Sequence, residues 1–185
     1  YKVVFSKSLA CNQHNPFTWS VKADSFVFIK ETDMFSRFSK TAVDKCAENG
    51  GGTVFVPAGT YLTGPIFLKS NINLNLEAGA TLLFSNDIEE YPVVTSRWEG
   101  VKQDCYASLI NADNCENISI TGRGTLDGQG AFWWKIFRAK ENKYPRPKMI
   151  APYECKNVLI QGVTLTNSPS WTINTILCDN VTIDN

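Results

Sequence analysis

Carboxylate side chains are the first candidates for chemistry in this 185-residue chain. Two carboxyl groups held near each other can act as general acid and general base, because their mutual repulsion keeps one of them protonated. Glu89 and Glu90 are adjacent, so their side chains point apart and we interpret them as solvated. Asp127 lies in a glycine-rich stretch, where an aspartate is typical of a turn stabilised by side-chain bonds to the backbone.

The remaining acids and the histidine offer no better pair. Asp179 and Asp184 flank one strand-like run at an odd spacing, so we expect them on opposite sides of the strand and in solvent. His14 is the sole histidine, and its neighbours Gln13 and Asn15 make it neither a base nor a metal ligand. We interpret His14 as a surface residue.

Cations and aromatic rings indicate binding rather than catalysis. A guanidinium or ammonium group can pair with an acidic ligand, and aromatic rings stack on the faces of sugars. The candidates are Lys102, Arg123 and Arg146 among the cations and Trp98, Trp133, Trp134 and Trp171 among the aromatic residues. Each cation alone is non-specific. We expect the adjacent Trp133 and Trp134 to anchor a long excursion of the chain by packing.

The cysteines do not form a metal-binding or redox motif. They are Cys11, Cys46, Cys105, Cys115, Cys155 and Cys178. No C-x-x-C pair occurs, which argues against a zinc site or a thioredoxin-like site, and six cysteines leave fifteen full pairings open. Asn117 and Asn180 begin N-x-S/T sequons, which predict glycosylation sites if the chain is secreted.

The composition excludes several classes of function. Lys plus Arg and Asp plus Glu are 18 each, so the formal net charge is zero and offers no footprint for nucleic acid or an anionic membrane. No run of 18 apolar residues predicts a transmembrane helix. With 43% hydrophobic and 19% charged residues, the chain has the balance of a globular protein.

An internal repeat predicts the elements that must position these side chains. Three runs share the pattern C-x-N-[IV]-x-I, beginning at Cys115, Cys155 and Cys178, and a weaker copy surrounds Asn71. The shared asparagines at 71, 117, 157 and 180 are 46, 40 and 23 residues apart. We interpret one unit as about 23 residues, the 46 as two units, and the 40 as one unit with a 17-residue insertion.

Short strands in such a unit predict a parallel β-helix. The apolar residues of each copy alternate and are mostly β-branched, which is typical of strands. Like residues of successive coils then stack about 4.8 Å apart, and the asparagine is expected at an inward-turned bend, bonded to the asparagine above. We expect further strands at residues 53–56, 61–62, 66–68 and 72–76, with excursions from the coils at 85–107 and 128–149.

One convincing helix is predicted at residues 36–48. Phe38, Ala42, Val43, Cys46 and Ala47 share one face, and residues 49–52 (NGGG) form a strong stop. Because a solenoid has an open apolar end, an amphipathic helix just before the first coil would cap it.

Several long, ordered motifs resemble plant polygalacturonase-like proteins of glycoside hydrolase family 28. They are residues 50–64 (GGGTVFVPAGTYLTG), 122–130 (GRGTLDGQG), 133–134 (WW), 146–147 (RP) and 167–173 (NSPSWTI). The resemblance covers residues 36–185. We therefore divide the chain into a divergent amino-terminal segment, 1–35, and the amino-terminal coils of a β-helix domain, 36–185.

The resemblance implies an all-β fold, a right-handed parallel β-helix with an amino-terminal capping α-helix. It implies a secreted, extracellular or cell-wall enzyme that hydrolyses α-1,4-galacturonan with inversion, without a metal or organic cofactor. The expected partner is pectin or another acidic cell-wall polysaccharide, with neither nucleic acid nor membrane. Asn167 and Trp171 are implied as substrate-binding residues, since they lie on a coil near the start of the family's cleft, with packing against the coils as the alternative for Trp171.

The family's catalytic motifs do not occur in these 185 residues. They are Asn-Thr-Asp, Asp-Asp, Gly-His-Gly and Arg-[Ile/Val]-Lys, so we assign no catalytic residue and expect this piece alone to be inactive. We also expect a solenoid truncated here to self-associate through its uncapped carboxy-terminal coil. The alternative is a non-catalytic polysaccharide-binding β-helix or degenerate paralogue. A Ca²⁺-dependent lyase ranks last, since no acidic cluster is present.

Overall fold

The computed structural model describes residues 26–28 and 35–184, so His14, Cys11 and most of the segment 1–35 lie outside the described residues. The helices are α1 Phe35–Glu48 and α2 Gly130–Ala139, with a 3₁₀ turn at Ile88–Glu90. The strands are β1 Phe26–Phe28, β2 Gly52–Val56, β3 Gly59–Thr63, β4 Ile66–Phe67, β5 Ile72–Leu76, β6 Ala80–Phe84, β7 Val93–Trp98, β8 Val101–Tyr106, β9 Ile110–Asp113, β10 Glu116–Gly122, β11 Thr125–Asp127, β12 Ile150–Tyr153, β13 Lys156–Gln161, β14 Thr164–Thr166 and β15 Asp179–Asp184.

Three parallel sheets wind into a solenoid, which confirms the predicted parallel β-helix. Sheet A has the order β1-β2-β5-β10-β13-β15, sheet B has β3-β6-β11-β14, and sheet C has β4-β9-β12. Sheet C is continued by parallel bridges from Ile150 to Ile173 and from Tyr153 to Ile176. A fourth sheet, the antiparallel pair β7-β8, forms a hairpin outside the coils.

Like side chains stack along the interior. Val54, Leu74, Ile120 and Ile160 are in register on successive strands of sheet A, and each is at most 3% exposed. Their outward neighbours are half-buried, as strand alternation requires. Fully burying one such aliphatic side chain contributes about 1.5–3 kcal/mol, so each row of the core stabilises the contact between coils.

The asparagine spacing corrects one sequence interpretation. Asn117 Nδ2 donates to Asn71 Oδ1 at 2.9 Å, and β5 pairs directly with β10. The 46-residue interval is therefore one coil and not two. The excursion at 85–107, which carries the β7-β8 hairpin, is as long as a whole unit and made the interval look like a double repeat.

The asparagines form a continuous ladder, as predicted, but on the outside of the coils. Asn157 Nδ2 donates to Asn117 Oδ1 at 2.8 Å, and Asn180 Nδ2 donates to Asn157 Oδ1 at 2.7 Å. All four asparagines have φ between 54° and 63°, and each is half-buried or exposed. The inward-turned bend was wrong, because the left-handed corner directs these amides away from the apolar core.

The cysteines of the three repeat copies stack one above another as free thiols. Cys115, Cys155 and Cys178 directly precede register-matched residues of β10, β13 and β15. Each Sγ donates to the carbonyl oxygen two residues earlier, at 3.2, 3.2 and 3.4 Å. All five cysteines in the described part of the chain are free thiols.

Helix α1 covers the amino-terminal end of the coils, as predicted. Ala42, Val43 and Cys46 are at most 1% exposed and belong to the hydrophobic core, and the helix contacts β2, β3 and β4. The helix ends where Gly51 N donates to the Cys46 carbonyl oxygen at 3.0 Å. Strand β1, which lies within the segment 1–35, extends sheet A in parallel beside β2 and was not predicted.

Helix α2 was also not predicted, because its aromatic-rich sequence reads as an anchoring loop. The contacts of Trp133 and Trp134 nevertheless agree with the prediction that they anchor this excursion by packing. Trp133 is fully buried and packs edge-on against Tyr91 at 5.1 Å and tilted against Tyr106 at 5.6 Å between ring centroids. Trp134 Nε1 donates to the Ser168 carbonyl oxygen at 3.0 Å, which fixes this excursion to the coils.

Candidate functional site

The outer surface of sheet C carries polar side chains that alternate with core residues. Ile110, Ala112, Ile150 and Pro152 point into the core and are buried. Their neighbours point outward. The outward residues, which we call the sheet C face, are Asn111, Asp113, Ala151 and Tyr153.

The end of the β7-β8 hairpin lies against the edge of this face. Trp98, the last residue of β7, stacks on Trp171 with ring centroids 4.5 Å apart and planes inclined by 39°. Trp171 precedes the segment that continues sheet C and retains 39% exposure. The pair therefore presents one partly exposed indole beside the sheet C face, backed by a second ring.

Lys148, which lies two residues before β12, links the end of the hairpin to the coils. It is 2% exposed, and its Nζ donates to the Arg97 carbonyl oxygen at 2.7 Å. The same Nζ lies 5.6 Å from the centroid of the Trp171 ring, within the range of a cation–π contact. Burial lowers the pKa of Lys148 below its ordinary value, with Cys105 opposing that shift.

Tyr153 carries the clearest electrostatic signature on the sheet C face. Its pKa is raised, first by a hydrogen bond with the Glu154 side chain and then by partial desolvation and the Glu154 charge. The Arg97 charge opposes these effects, and Asp113, its register partner on β9, adds to them. The charges of Glu154, Asp113 and Arg97 therefore all act on this phenol.

The two predicted substrate-binding residues are not brought together. Asn167 follows β14 with a φ of 51°, and its Nδ2 donates to Asp127 Oδ1 at 2.9 Å. Asp127 also accepts from the Gln129 backbone N–H at 3.0 Å, which confirms its interpretation as a turn aspartate. Asn167 is therefore engaged in that turn, while Trp171 lies beside the sheet C face, where a ligand could reach it.

Of the other charged candidates, Lys102 lies on β8 as the register partner of Arg97, whereas the acidic ones lie outside the sheet C face. Asp179 and Asp184 are both exposed, and Asp184 accepts from Gln161 Nε2 at 3.0 Å. Arg146 donates to the Pro169 carbonyl oxygen at 2.8 Å and lies 4.0 Å from the Phe137 ring centroid, so it ties the second excursion to the coils. Glu89 and Glu90 belong to the 3₁₀ turn.

Both predicted glycosylation asparagines belong to the ladder. Asn117 Nδ2 donates to Asn71, and Asn180 Nδ2 donates to Asn157. Asn117 is also an acceptor for Asn157, so neighbours flank its amide on both sides. Glycosylation at these positions stays a prediction, and the ladder gives a physical reason for low occupancy at Asn117.

Sequence reasoning missed Arg97, Lys148 and Tyr153. Nothing in the repeat pattern indicates that the hairpin folds back onto sheet C. Alternation within residues 150–153 could have placed Tyr153 on an outward face, because Ile150 and Pro152 are the core positions.

In the part of the chain that the structure describes, no group of three or more His, Cys, Asp or Glu could hold a metal ion. No helix within the same residues is long and apolar enough to cross a membrane.

Comparison with known proteins identifies the family. The profile of Glycosyl hydrolases family 28 matches residues 46–185. The chain belongs to this family. A probable polygalacturonase of Vitis vinifera is 37% identical over 147 residues, which are 76% of this chain and 30% of that protein. An exo-poly-alpha-D-galacturonosidase of Dickeya chrysanthemi is 40% identical over 108 residues, 54% of this chain and 17% of that protein.

Solved structures give the same result for the fold of this family 28 chain. The hyperthermoactive exopolygalacturonase of Thermotoga maritima matches with a TM-score of 0.73 and 36% identity, over 80% of this chain and 41% of that one. The fold is thus the right-handed parallel β-helix of the polygalacturonases. The chain spans less than a third of the length of the two curated relatives named above.

Proposed function

We propose that the intact protein is a pectin-active glycoside hydrolase that cleaves α-1,4-galacturonan. Family 28 membership over residues 46–185 is the observation that carries this proposal. The sheet C face is consistent with such a substrate, because a partly exposed indole, Trp171, and an exposed cation, Arg97, lie at its edge. An indole offers a stacking surface for a sugar ring, and a guanidinium offers paired donors for a uronate carboxylate.

We propose that hydrolysis proceeds by direct attack of water with inversion. Such a reaction needs two carboxyl groups far enough apart, about 6.5–9.5 Å, to hold a water between them. The four catalytic motifs that the resemblance implies are absent from the 185 residues. We infer that the catalytic carboxylates are supplied by residues other than these, and that this piece binds rather than cleaves.

We also propose that the protein is exported and that it acts without a metal or organic cofactor. Pectin is a polymer of the cell wall, so an enzyme that degrades it must leave the cell. Hydrolysis by a pair of carboxyl groups requires only water as co-substrate, since the acid and the base are regenerated in each turnover.

Release of reducing ends from polygalacturonate tests this function. We expect the intact protein to release them, and proton NMR of the first products to show the inverted anomer. The 185-residue chain serves as the control and should release none. The hydrolase proposal is wrong if the intact protein, folded by circular dichroism, releases no reducing ends. The retained anomer would contradict the inverting mechanism alone.

A further inference from the structure

The end of the hairpin contacts Lys148 and Trp171. The β-helix fold itself does not require these contacts. The coils are complete without the hairpin, which leaves them after residue 92 and returns before residue 107. Residues 101–104 of β8 are exposed throughout. The end of the hairpin is nevertheless fixed at two points, the Trp98–Trp171 stack and the Lys148–Arg97 hydrogen bond.

Lys148 is an unusual choice for a purely structural contact. A buried ammonium loses its hydration, and such a group is normally paired with a carboxylate. The single ion pair formed by described residues joins Lys156 and Glu116, on the outside of sheet A. The Lys148 ammonium instead contacts a backbone carbonyl of the hairpin end and the indole face of Trp171, the ring on which the hairpin end packs.

Docking of the hairpin end fixes the position of Arg97. Its side chain is exposed, and Nη2 donates to the Gly100 carbonyl oxygen at 3.2 Å, which restrains the guanidinium at the hairpin turn. The remaining donors have no carboxylate within ion-pair distance among the described residues. Because the neighbouring Trp98 ring and the Arg97 carbonyl are the docked groups, the exposed Arg97 side chain stands at the edge of the sheet C face, next to its register partner Lys102.

We propose that Arg97 is a specificity-determining residue that binds the carboxylate of an acidic sugar lying on the sheet C face. Lys148 is the positioning residue, because its ammonium group holds the backbone carbonyl of Arg97. Trp171 provides the stacking surface for the sugar ring. This inference rests on the proposed function for the class of ligand only, an oligosaccharide of uronic acids. It does not require that this chain performs the hydrolysis.

Binding of trigalacturonate and of its fully methyl-esterified form tests the role of Arg97. The two probes have the same rings and differ in charge, and intrinsic tryptophan fluorescence can report both through the Trp98–Trp171 pair. We expect the wild-type protein to prefer the acid, with an affinity that falls as salt is added. Arg97→Gln should weaken binding of the acid about tenfold and leave binding of the ester unchanged.

Arg123→Gln is the matched control, because it removes the same charge from an exposed corner after β10. It should leave both affinities unchanged. The inference is overturned if the wild-type protein binds neither probe or binds both equally. It is likewise overturned if Arg97→Gln behaves like the wild-type protein, or if the two arginine variants lose the same affinity.

Lys148→Met tests the positioning role separately. Since methionine fills a similar volume without a charge, we expect the coils to stay folded while the hairpin end loses one of its two attachments, the hydrogen bond to the Arg97 carbonyl. Amide hydrogen exchange should then rise in residues 93–106, and the preference for the acid should fall as in Arg97→Gln. A docked hairpin with an unchanged acid preference would refute the role of Lys148.

The outcome is separable from that of the hydrolase proposal. An acid preference that depends on Arg97, in an intact protein that releases no reducing ends, would support this inference and refute the hydrolase. If the intact protein hydrolyses polygalacturonate and its Arg97→Gln variant binds trigalacturonate as tightly as the wild-type protein does, the hydrolase proposal is supported and this inference is refuted.

Discussion

Two buried polar side chains on the excursions, Tyr91 and Lys148, are each satisfied by a backbone carbonyl. The Tyr91 hydroxyl donates to the Ser85 carbonyl oxygen at 2.7 Å, and the Lys148 ammonium uses the Arg97 carbonyl in the same way. A buried donor left without a partner costs about 1–3 kcal/mol, so these bonds fix where the excursions meet the coils. Both residues also change their acid–base behaviour on burial.

Tyr91 should make the protein sensitive to alkali. Burial, helped by the Glu90 charge, raises the pKa of Tyr91 above its ordinary value of about 10. The folded state thus holds the phenol proton more tightly than the unfolded state. This contribution to stability is complete below about pH 10 and is lost as the pH rises further, by up to about 1.4 kcal/mol per pH unit.

The measurement for Tyr91 is the free energy of unfolding in urea at a series of pH values between about 8 and 12. Tyr91→Phe should cost about 1 kcal/mol at neutral pH, because the bond to Ser85 is lost, and should flatten the alkaline decline. Parallel curves for the variant and the wild-type protein would contradict this assignment.

Asn157 should be a sensitive position of the ladder. It donates to Asn117, accepts from Asn180, and has a φ of 55°. Asn157→Ala removes both bonds and puts a Cβ-bearing residue without a local hydrogen bond into the left-handed region. We expect a loss of about 2–4 kcal/mol in the free energy of unfolding.

Asn157→Gly separates the two causes, because glycine adopts the left-handed region without strain. We expect it to lose about 1–2 kcal/mol less than the alanine variant in the same urea titration. Equal losses would show that backbone strain plays no part. No loss in either variant would refute the contribution of the ladder.

At the scale of elements, the excursions are attached to the coils by aromatic packing. Helix α2 contributes Trp133, the hairpin region contributes Tyr91 and Tyr106, and the three rings form one buried cluster. The two excursions therefore support each other although they leave different coils. A change at the centre of the cluster should affect both.

Trp133→Ala tests this coupling. Removing a fully buried indole should cost about 3–5 kcal/mol in the free energy of unfolding and should increase amide exchange in both α2 and the β7-β8 hairpin. Lys135→Ala, on the exposed side of α2, is the control and should change stability by less than about 0.5 kcal/mol. Increased exchange confined to α2 would argue against mutual support.

At the scale of the whole molecule, the repeated elements of the coils could be predicted from the sequence, but the contacts made by the non-repeating excursions could not. The strands, the asparagine ladder, the thiol row and helix α1 follow from periodicity and from stacking of like residues. The coil count between Asn71 and Asn117 failed because an excursion as long as one unit mimics a repeat. Arg97 and Lys148 meet 51 residues apart through tertiary docking of a hairpin, for which local sequence carries no signal.

The central claim is that an acidic polysaccharide binds to the sheet C face of this family 28 solenoid, beside the docked end of the hairpin. Amide hydrogen exchange measured with and without saturating trigalacturonate tests it most directly. We predict slower exchange confined to the hairpin end at residues 97–101 and to residues 148–153 and 171–176. Slower exchange on helix α1 or sheet A instead, or no change anywhere at saturation, would contradict the account.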